Sequence, residues 1–175
     1  MDEGLAELAG LLRERDEIEQ RIAGITRRSA RQGDVGEFIA AAVFDIRLAA
    51  TAIQAGHDGW FRSGPLKDRT VNIKAYGSAA AGIDISPHPC EYYLVLSGPA
   101  KPSGAVHHHR WWISAVYLFD APALLAGFAA RGVKVGVATS VRAADLTAAQ
   151  LYPTPGPNAL LPLTPEQRSM LALFA

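Results

Sequence analysis

Three side chains around a predicted β-hairpin have the types and spacing needed for metal-dependent hydrolysis. Asp58 lies at the bend of the apolar segment "TAIQAGHDGWF". Asn72 and Lys74 lie two residues apart in the next segment, "TVNIKAY". A turn around Gly64 and Pro65 joins the two segments. Because side chains alternate across a strand, Asn72 and Lys74 share one face, about 7 Å apart. Antiparallel pairing then predicts that Asp58 lies within a few ångströms of both.

This combination of groups is typical of phosphoryl chemistry assisted by a cation. A carboxylate such as Asp58 and an amide oxygen such as that of Asn72 are hard oxygen ligands, which suit Mg²⁺ because it keeps several waters and takes few protein groups. An ammonium beside the ion, here Lys74, can orient a water and stabilise charge that develops on a phosphate. The hairpin therefore predicts a magnesium-dependent hydrolytic site.

Glu37 is a fourth candidate, for which two interpretations stay open. It shares a helical stripe with Ala41, Phe44 and Leu48, so its carboxylate is expected to point toward the sheet. Asp34 and Glu37 also have the spacing of a capping box led by aspartate, and acids favour helix N-termini in any case. The hairpin carboxylate nearby favours a role for Glu37 in the same site.

The elements that must position these residues follow from periodicity. Five apolar residues and one arginine recur at three- and four-residue spacing over residues 3–26, which predicts an amphipathic helix. These residues are Leu8, Leu11, Arg15, Ile18, Ile22 and Ile25. At 1.5 Å per residue this helix is about 36 Å long, and it either packs on its own body or pairs with a second copy as a homodimer. A second helix is predicted over residues 33–50.

Further along the chain, apolar runs and caps predict the rest of the fold. "EYYLVLSG" and "RWWISAVYLF" indicate strands, "VKVGVA" a short last strand, and "AADLTAAQLY" a short helix. Asp120 and Gly132 bound one further helix, and Thr164 with Gln167 starts another. This order predicts a mixed α/β fold with one central sheet. We divide the chain into an N-terminal helix and linker (1–30), an α/β core (31–153) and a C-terminal linker and helix (154–175).

Composition sets broad limits. The 175 residues have no net charge, but residues 1–20 hold seven acids and two arginines (net −5), which leaves fifteen bases and ten acids (net +5) in the remainder. A mildly basic body is compatible with binding a polyanion. The single cysteine, Cys90, excludes an internal disulfide, and the N-terminus has no basic signal region. We therefore expect a cytoplasmic protein that does not enter a membrane.

The order of these residues resembles the PD-(D/E)XK, or restriction-endonuclease-like, nuclease superfamily. A helix with a glutamate, a strand with an aspartate, a hairpin and an apolar-x-Lys strand match Glu37, Asp58 and Lys74. Asn72 falls where the superfamily has an acid, and His57 replaces the proline before the aspartate. The wider string "GDVGEFIA…GHDGWF…VNIK…YYLVL…YLFDA…RGVKVGVA" also resembles an uncharacterised family of small bacterial proteins over most of residues 5–175.

The resemblance implies a restriction-endonuclease-like sheet flanked by helices, and a Mg²⁺- or Mn²⁺-dependent DNA endonuclease. Asp58 would be the main ligand, Asn72 and the backbone carbonyl of Ile73 would complete the site, Lys74 would position the attacking water, and Glu37 would act through water. An amide in place of an acid brings no charge, so metal affinity should fall. Two alternatives stay open, a catalytically inactive nucleic-acid-binding module of the same fold and a dimeric scaffold.

Each basic or histidine-rich segment outside this cluster has a functional interpretation and a simpler structural one. Arg27, Arg28 and Arg31 precede the Glu37 helix and either contact DNA phosphates or form a solvated linker. The run His107–His109 lies in a Gly/Pro-rich loop with no carboxylate or cysteine at ligand spacing, which favours a solvated loop.

Three apolar side chains are likewise expected to have structural roles. Trp111 and Trp112 alternate faces and are expected in the core or at an interface, with base stacking as the alternative for one of them. Cys90 has no activating neighbours in the sequence and is expected to be a small buried hydrophobe.

Overall fold

The computed structural model describes residues 3–50, 56–86, 88–101, 111–157 and 159–175. Two helices come first, six strands follow, and helices and strands alternate in the rest of the described chain. The helices are α1 (Glu3–Thr26), α2 (Gln32–Phe44), α3 (Ala121–Ala130), α4 (Ala143–Ala149) and α5 (Pro165–Ala172). The strands are β1 (Ile46–Leu48), β2 (Gly59–Phe61), β3 (Thr70–Tyr76), β4 (Gly82–Ile83), β5 (Tyr92–Ser97), β6 (Ala115–Asp120), β7 (Thr139–Ser140) and β8 (Gln150–Tyr152).

Six of the strands form one mixed sheet in the order β1-β2-β3-β5-β6-β8. β3 and β5 run parallel at its centre, whereas the other neighbouring strands are antiparallel. β4 and β7 form a separate two-stranded ladder. The prediction of a mixed α/β fold with one central sheet is confirmed.

Apolar side chains cover both faces of the sheet, because successive residues of a strand point to opposite sides. On β3 and β5, Val71, Ile73 and Leu94 join the first core, together with α2 and α5. Tyr93 and Val95 point the other way, into a second core built with α3, β4 and the end of α4. The continuous apolar run of β5 is therefore buried on both sides, as its sequence predicts.

The predicted hairpin is confirmed, but its first strand is shorter than the apolar segment that predicts it. β2 pairs antiparallel with β3, with Gly59 opposite Val71 and Trp60 opposite Thr70. β2 also pairs with β1 on its other side, where Ile46 lies opposite Phe61. Residues 51–55, which the sequence assigns to the first strand, lie outside the described ranges.

The second helix is shorter than predicted. α2 ends at Phe44, because Asp45 takes a left-handed conformation (φ 52°, ψ 54°) and donates its backbone N–H to the carbonyl of Ala41. The chain then enters β1, where it pairs with β2. The predicted helical segment 45–50 was wrong, and Leu48 belongs to the sheet rather than to the stripe of α2.

The start of α2 also differs from the capping prediction. The helix begins at Gln32 with Arg31 as N-cap and no side-chain cap. Asp34 already lies within the first turn, where its carboxylate accepts a hydrogen bond from the Ser29 hydroxyl. Because Asp34 is not the N-cap, Glu37 is not at the position of a capping box, and that interpretation of Glu37 was wrong.

The C-terminal helices follow the predicted caps. The Asp120 side chain accepts from the N–H of Ala123 at 2.8 Å at the start of α3, and Thr164 and Gln167 form the capping box of α5. Gln167 also donates from Nε2 to the carbonyl of Val43 at 3.0 Å, which fixes α5 against α2. The strand predicted over "VKVGVA" was wrong, since β7 begins one residue after it.

Three remaining predictions concern the pair Trp111 and Trp112, the run His107–His109 and the membrane. Trp111 and Trp112 are 40% and 47% exposed, so neither is a core residue. His107–His109 lie outside the described ranges. Among the residues that the structure describes, no helix is both long and apolar enough to span a bilayer.

Candidate functional site

Asp58 is held at the point where β2 separates from β3. Its backbone N–H donates to Val71 at 2.9 Å, and its carbonyl accepts from Ala49 at 2.8 Å. Its side chain turns to the next free donor of β3, so that Oδ2 accepts from the N–H of Ile73 at 2.6 Å. Two of these three hydrogen bonds tie Asp58 to the strand that carries Asn72 and Lys74, and one of the two holds its carboxylate.

Asn72 lies almost completely inside the protein, with 6% of its surface exposed. Its Nδ2 donates to the carbonyl of Gly56 at 3.1 Å. Its Oδ1 is buried and has no hydrogen-bond partner in the part of the chain that the structure describes. Most buried polar atoms in proteins are paired, so a buried amide oxygen without a described partner is a candidate ligand for a further polar group or ion.

Lys74 occupies the same face of β3 as Asn72, and it is half-buried. Tyr76, the next residue on that face, packs against the second core. Along this face of β3, Lys74 therefore lies between the buried Asn72 and the aromatic Tyr76. This is the side-by-side placement of amide and ammonium that the alternation of the strand predicts.

Electrostatics link Asp58 to this face. Burial raises the pKa of Asp58 above its ordinary value, although the N–H of Ile73 and the positive charges of Lys74, His57 and Arg28 oppose the rise. The positive charge of Lys74 is therefore close enough to act on the Asp58 carboxylate, although the two side chains form no ion pair among the described contacts. The prediction that they share one site stays a prediction.

Glu37 approaches the same carboxylate from α2. Arg28 donates to its Oε2 at 2.5 Å and also to the carbonyl of Ala49 at 3.3 Å. The pKa of Glu37 is raised, first by burial and then by the negative charge of Asp58, while Arg28 lowers it. The negative charge of Asp58 thus acts on Glu37, and an arginine partly compensates the charge of Glu37.

A close helix–strand contact places Glu37. The residue before it, Gly36, is buried, and a Cβ there would lie far inside van der Waals distance of the Ala75 side chain. Only glycine lets α2 approach β3 this closely. α2 therefore packs on the face of β3 that carries Ala75, whereas Lys74 lies on the opposite face of the same strand.

Cys90 lies close enough to Asp58 and Lys74 for their charges to act on it, which the sequence did not predict. It lies just before β5 and is half-buried. Burial raises the pKa of its thiol, and the hydroxyl of Tyr93, the negative charge of Asp58 and the positive charge of Lys74 also act on it. The parallel pairing of β5 with β3 brings it there, and no local sequence signal could have indicated that contact.

The three arginines predicted to bind DNA do not share one environment. Arg28 points inward to Glu37, and a quarter of its side chain is exposed. Arg27, which has a positive φ of 57°, and Arg31 are exposed. Arg27 and Arg31 are therefore available to a phosphate backbone, whereas Arg28 belongs to the site.

The donor set fits a hard divalent cation held by few protein groups. No cluster of three or more histidine, cysteine or acidic side chains suited to a metal occurs among the described residues. Asp58 and the unpaired Oδ1 of Asn72 are oxygen donors of the kind that Mg²⁺ and Mn²⁺ take, and Glu37 adds a second charge nearby. Such ions keep several waters, so two direct ligands are compatible with binding.

Comparisons with known proteins do not assign the chain to a family. No protein-family model matches the chain, and a search of curated proteins finds no significant match. The likeness to restriction-endonuclease-like nucleases therefore rests on Glu37, Asp58, Asn72 and Lys74 and on the order of the elements that carry them, and it stays a prediction.

Proposed function

We propose that the protein is a divalent-metal-dependent DNA endonuclease that hydrolyses phosphodiester bonds. The observation that best supports this function is the buried Oδ1 of Asn72, which lacks a partner in the described chain and lies on the same strand face as Lys74. A buried acceptor without a partner destabilises a fold by about 1–3 kcal/mol. A cation bound between Asn72 and Asp58 would remove that penalty, which gives the unpaired atom a physical reason.

Asp58 and Asn72 would hold the ion, with the backbone carbonyl of Ile73 as a third oxygen and Glu37 acting through water. A bound Mg²⁺ or Mn²⁺ polarises a phosphate oxygen and lowers the pKa of coordinated water. The bond from Oδ2 of Asp58 to the N–H of Ile73 keeps the carboxylate oriented before any ligand arrives. Such preorganisation is a large part of electrostatic catalysis.

Lys74 would carry out the step that belongs to the chain itself. Its ammonium lies on the face of Asn72 and acts electrostatically on Asp58. In this position it would orient the attacking water through a hydrogen bond and stabilise the charge that grows on the phosphate as an ester P–O bond breaks. Arg27 and Arg31, both exposed, would hold the DNA backbone.

A catalytically inactive DNA-binding module of the same fold is the second candidate. The neutral amide at position 72 favours it, because one carboxylate fewer weakens the hold on a cation. The pairing of Glu37 with Arg28 favours it as well, since an arginine already compensates that charge. The two candidates share the exposed arginines and differ in whether Lys74 supports turnover.

Plasmid cleavage separates the candidates. Supercoiled DNA is incubated with the purified chain and Mg²⁺, Mn²⁺ or EDTA, and nicked and linear products are quantified. We expect cleavage that requires the metal and falls at least about hundredfold in Lys74→Ala, since removing one preorganised charge stabiliser costs this much in hydrolytic enzymes. Lys67→Ala is the matched control, because Lys67 is an exposed lysine in the turn of the same hairpin.

Each other outcome has a definite meaning. Cleavage that survives both Lys74→Ala and Asp58→Ala comes from a contaminant and refutes the assignment. DNA binding that weakens with salt, without cleavage in either metal, identifies the inactive module. A chain that neither cuts nor binds DNA at low salt leaves the scaffold interpretation.

A further inference from the structure

Helix α1 presents a regular apolar seam that its own domain leaves largely uncovered. Six seam positions alternate at three- and four-residue spacing, which is the a/d pattern of a coiled coil: Leu8, Leu11, Arg15, Ile18, Ile22 and Ile25. Leu8, Leu11, Ile18 and Ile25 are 50%, 55%, 52% and 69% exposed. Large apolar side chains repeated at this spacing mark a surface that is built to be covered.

Contact with the body is confined mainly to the end of α1. Thr26 is buried, and Ile22 and Ala23 are half-buried. Residues 11–21 are all exposed. A helix in water draws most of its stability from packing of its apolar face, so a helix of this length with an open seam lacks its usual support.

The seam forms one wall of a groove whose lining is part apolar and part charged. Leu11, Ile18 and Ile22 line this wall together with Glu14, Arg15 and Glu19, and Ala30 and Trp111 complete the groove, around a space of about 410 Å³. Trp111 is 40% exposed there. Both walls of the groove therefore offer apolar surface to an amphipathic helix.

We propose that the occupant of this seam is α1 of a second copy of the chain, in antiparallel orientation. In the register that aligns all six seam positions, Leu8 meets Ile25, Leu11 meets Ile22, and Arg15 meets Ile18 of the other copy. Each apolar layer is then formed twice around a two-fold axis between residues 16 and 17. A closed, self-complementary pair of this kind is the commonest symmetry of protein oligomers.

Charges beside the seam select this orientation. Glu14 and Arg21 occupy the g positions, which come together across an antiparallel pair. Glu14 of each copy then lies beside Arg21 of the other, so the dimer contains two attractive pairs. The charges beside the seam therefore favour antiparallel pairing with a second copy of the same helix.

A parallel pair places the same side chains unfavourably. The g position would face the e position of the next heptad, which brings Glu14 beside Glu19 of the other copy. The two Arg15 side chains would also share one layer. Like charges at such positions destabilise a coiled coil, so the parallel arrangement is disfavoured.

This inference does not depend on the nuclease proposal, and its experiment needs no DNA. Sedimentation equilibrium of the full chain at low salt is expected to show a reversible monomer–dimer equilibrium. Leu11→Glu places a charge opposite Ile22 in two apolar layers of the seam and should convert the protein to a monomer. Circular dichroism and thermal melting check that the α/β body of this variant is folded.

Charge exchange then tests the orientation. Glu14→Arg should weaken the dimer about tenfold or more, because both attractive pairs become repulsive. Arg21→Glu should do the same, and the double variant Glu14→Arg/Arg21→Glu should restore the original affinity. Glu17→Arg is the matched control, since it makes the same charge change on the outer side of the helix and should leave dimerisation within about threefold.

The contrary results are equally specific. A parallel dimer would be strengthened by Glu14→Arg, which creates an attractive contact with Glu19 of the other copy. That result would overturn the antiparallel assignment. A chain that stays monomeric at several hundred micromolar, or that dimerises equally well with Leu11→Glu, would overturn the assignment of the seam to a second copy.

Discussion

Replacing Asn72 with aspartate tests the candidate site most directly. The substitution keeps the size of the side chain and restores the acid that the resemblance to restriction-endonuclease-like nucleases implies at this position. Asn72 is 6% exposed, and its amide donates to the carbonyl of Gly56 at 3.1 Å. A carboxylate there loses this donor and faces the carbonyl, with Asp58 nearby.

The expected destabilisation without metal follows from these contacts. The lost hydrogen bond accounts for about 1 kcal/mol. An uncompensated buried charge brings the total to about 3 kcal/mol or more. For a chain of this size that corresponds to a melting temperature lower by about 6–12 °C. The deficit should shrink as the pH falls, because burial raises the pKa of the new acid and protonation removes its charge.

Thermal melting with EDTA and with increasing Mn²⁺ measures both effects. A ligand that binds only the folded state at one hundred times its Kd raises stability by about 2.7 kcal/mol. We expect Mn²⁺ to raise the melting temperature of Asn72→Asp by more than that of the unchanged chain, since the added carboxylate increases the affinity for the ion. The double variant Asp58→Asn/Asn72→Asp is the matched control, because it moves the negative charge without adding one.

The reasoning fails if Asn72→Asp melts like the unchanged chain in EDTA and if Mn²⁺ shifts both proteins equally. The first result would mean that position 72 is accessible to solvent. The second would mean that no ion lies beside it. If the double variant is more stable than Asn72→Asp only by the effect that Asp58→Asn has alone, Asp58 and Asn72 are not coupled, and a shared pocket is excluded.

Two further substitutions test the elements around the site. Asp58→Asn should raise stability at neutral pH: burial raises the pKa of Asp58, so the folded state holds the proton more tightly than the unfolded state, and the stability of the unchanged chain falls as pH rises through that pKa. Urea denaturation between pH 4 and 8 checks this, and a variant that is less stable throughout would contradict it. Gly36→Ala should destabilise by about 1–3 kcal/mol through overpacking against Ala75, whereas Gly33→Ala, on the same helix with open space around it, should not. Equal melting temperatures of these two variants would show that α2 does not press on β3.

The hairpin and its functional face could be predicted because the information is local. Alternation along "TVNIKAY" determines that Asn72 and Lys74 share a face, and the turn between the two segments determines that Asp58 returns beside them. The caps at Asp120 and Thr164 are equally local, since each depends on residues three positions apart. Patterns of this kind survive folding because tertiary contacts do not have to create them.

The parts that the sequence did not predict depend on distant residues. Asp45 ends α2 because Ile46 and its neighbours pair with β2, and strand pairing here outweighs the helical pattern. Cys90 reaches the site through the parallel alignment of β5 with β3, which no spacing in the chain reveals. The pairing of Arg28 with Glu37 joins a linker to the second turn of a helix.

The hydrogen bond between Asp58 and Ile73 has a consequence beyond the candidate chemistry. β2 pairs with β3 only at Gly59 and Trp60, so in the described chain the adjoining edge of β3 continues with the Asp58 carboxylate as the acceptor for Ile73. A negatively charged side chain that occupies an N–H at a strand edge discourages another extended chain from adding there. Asp58→Ala would free that N–H and remove the charge together. We therefore expect this variant to self-associate edge to edge and lose solubility on storage.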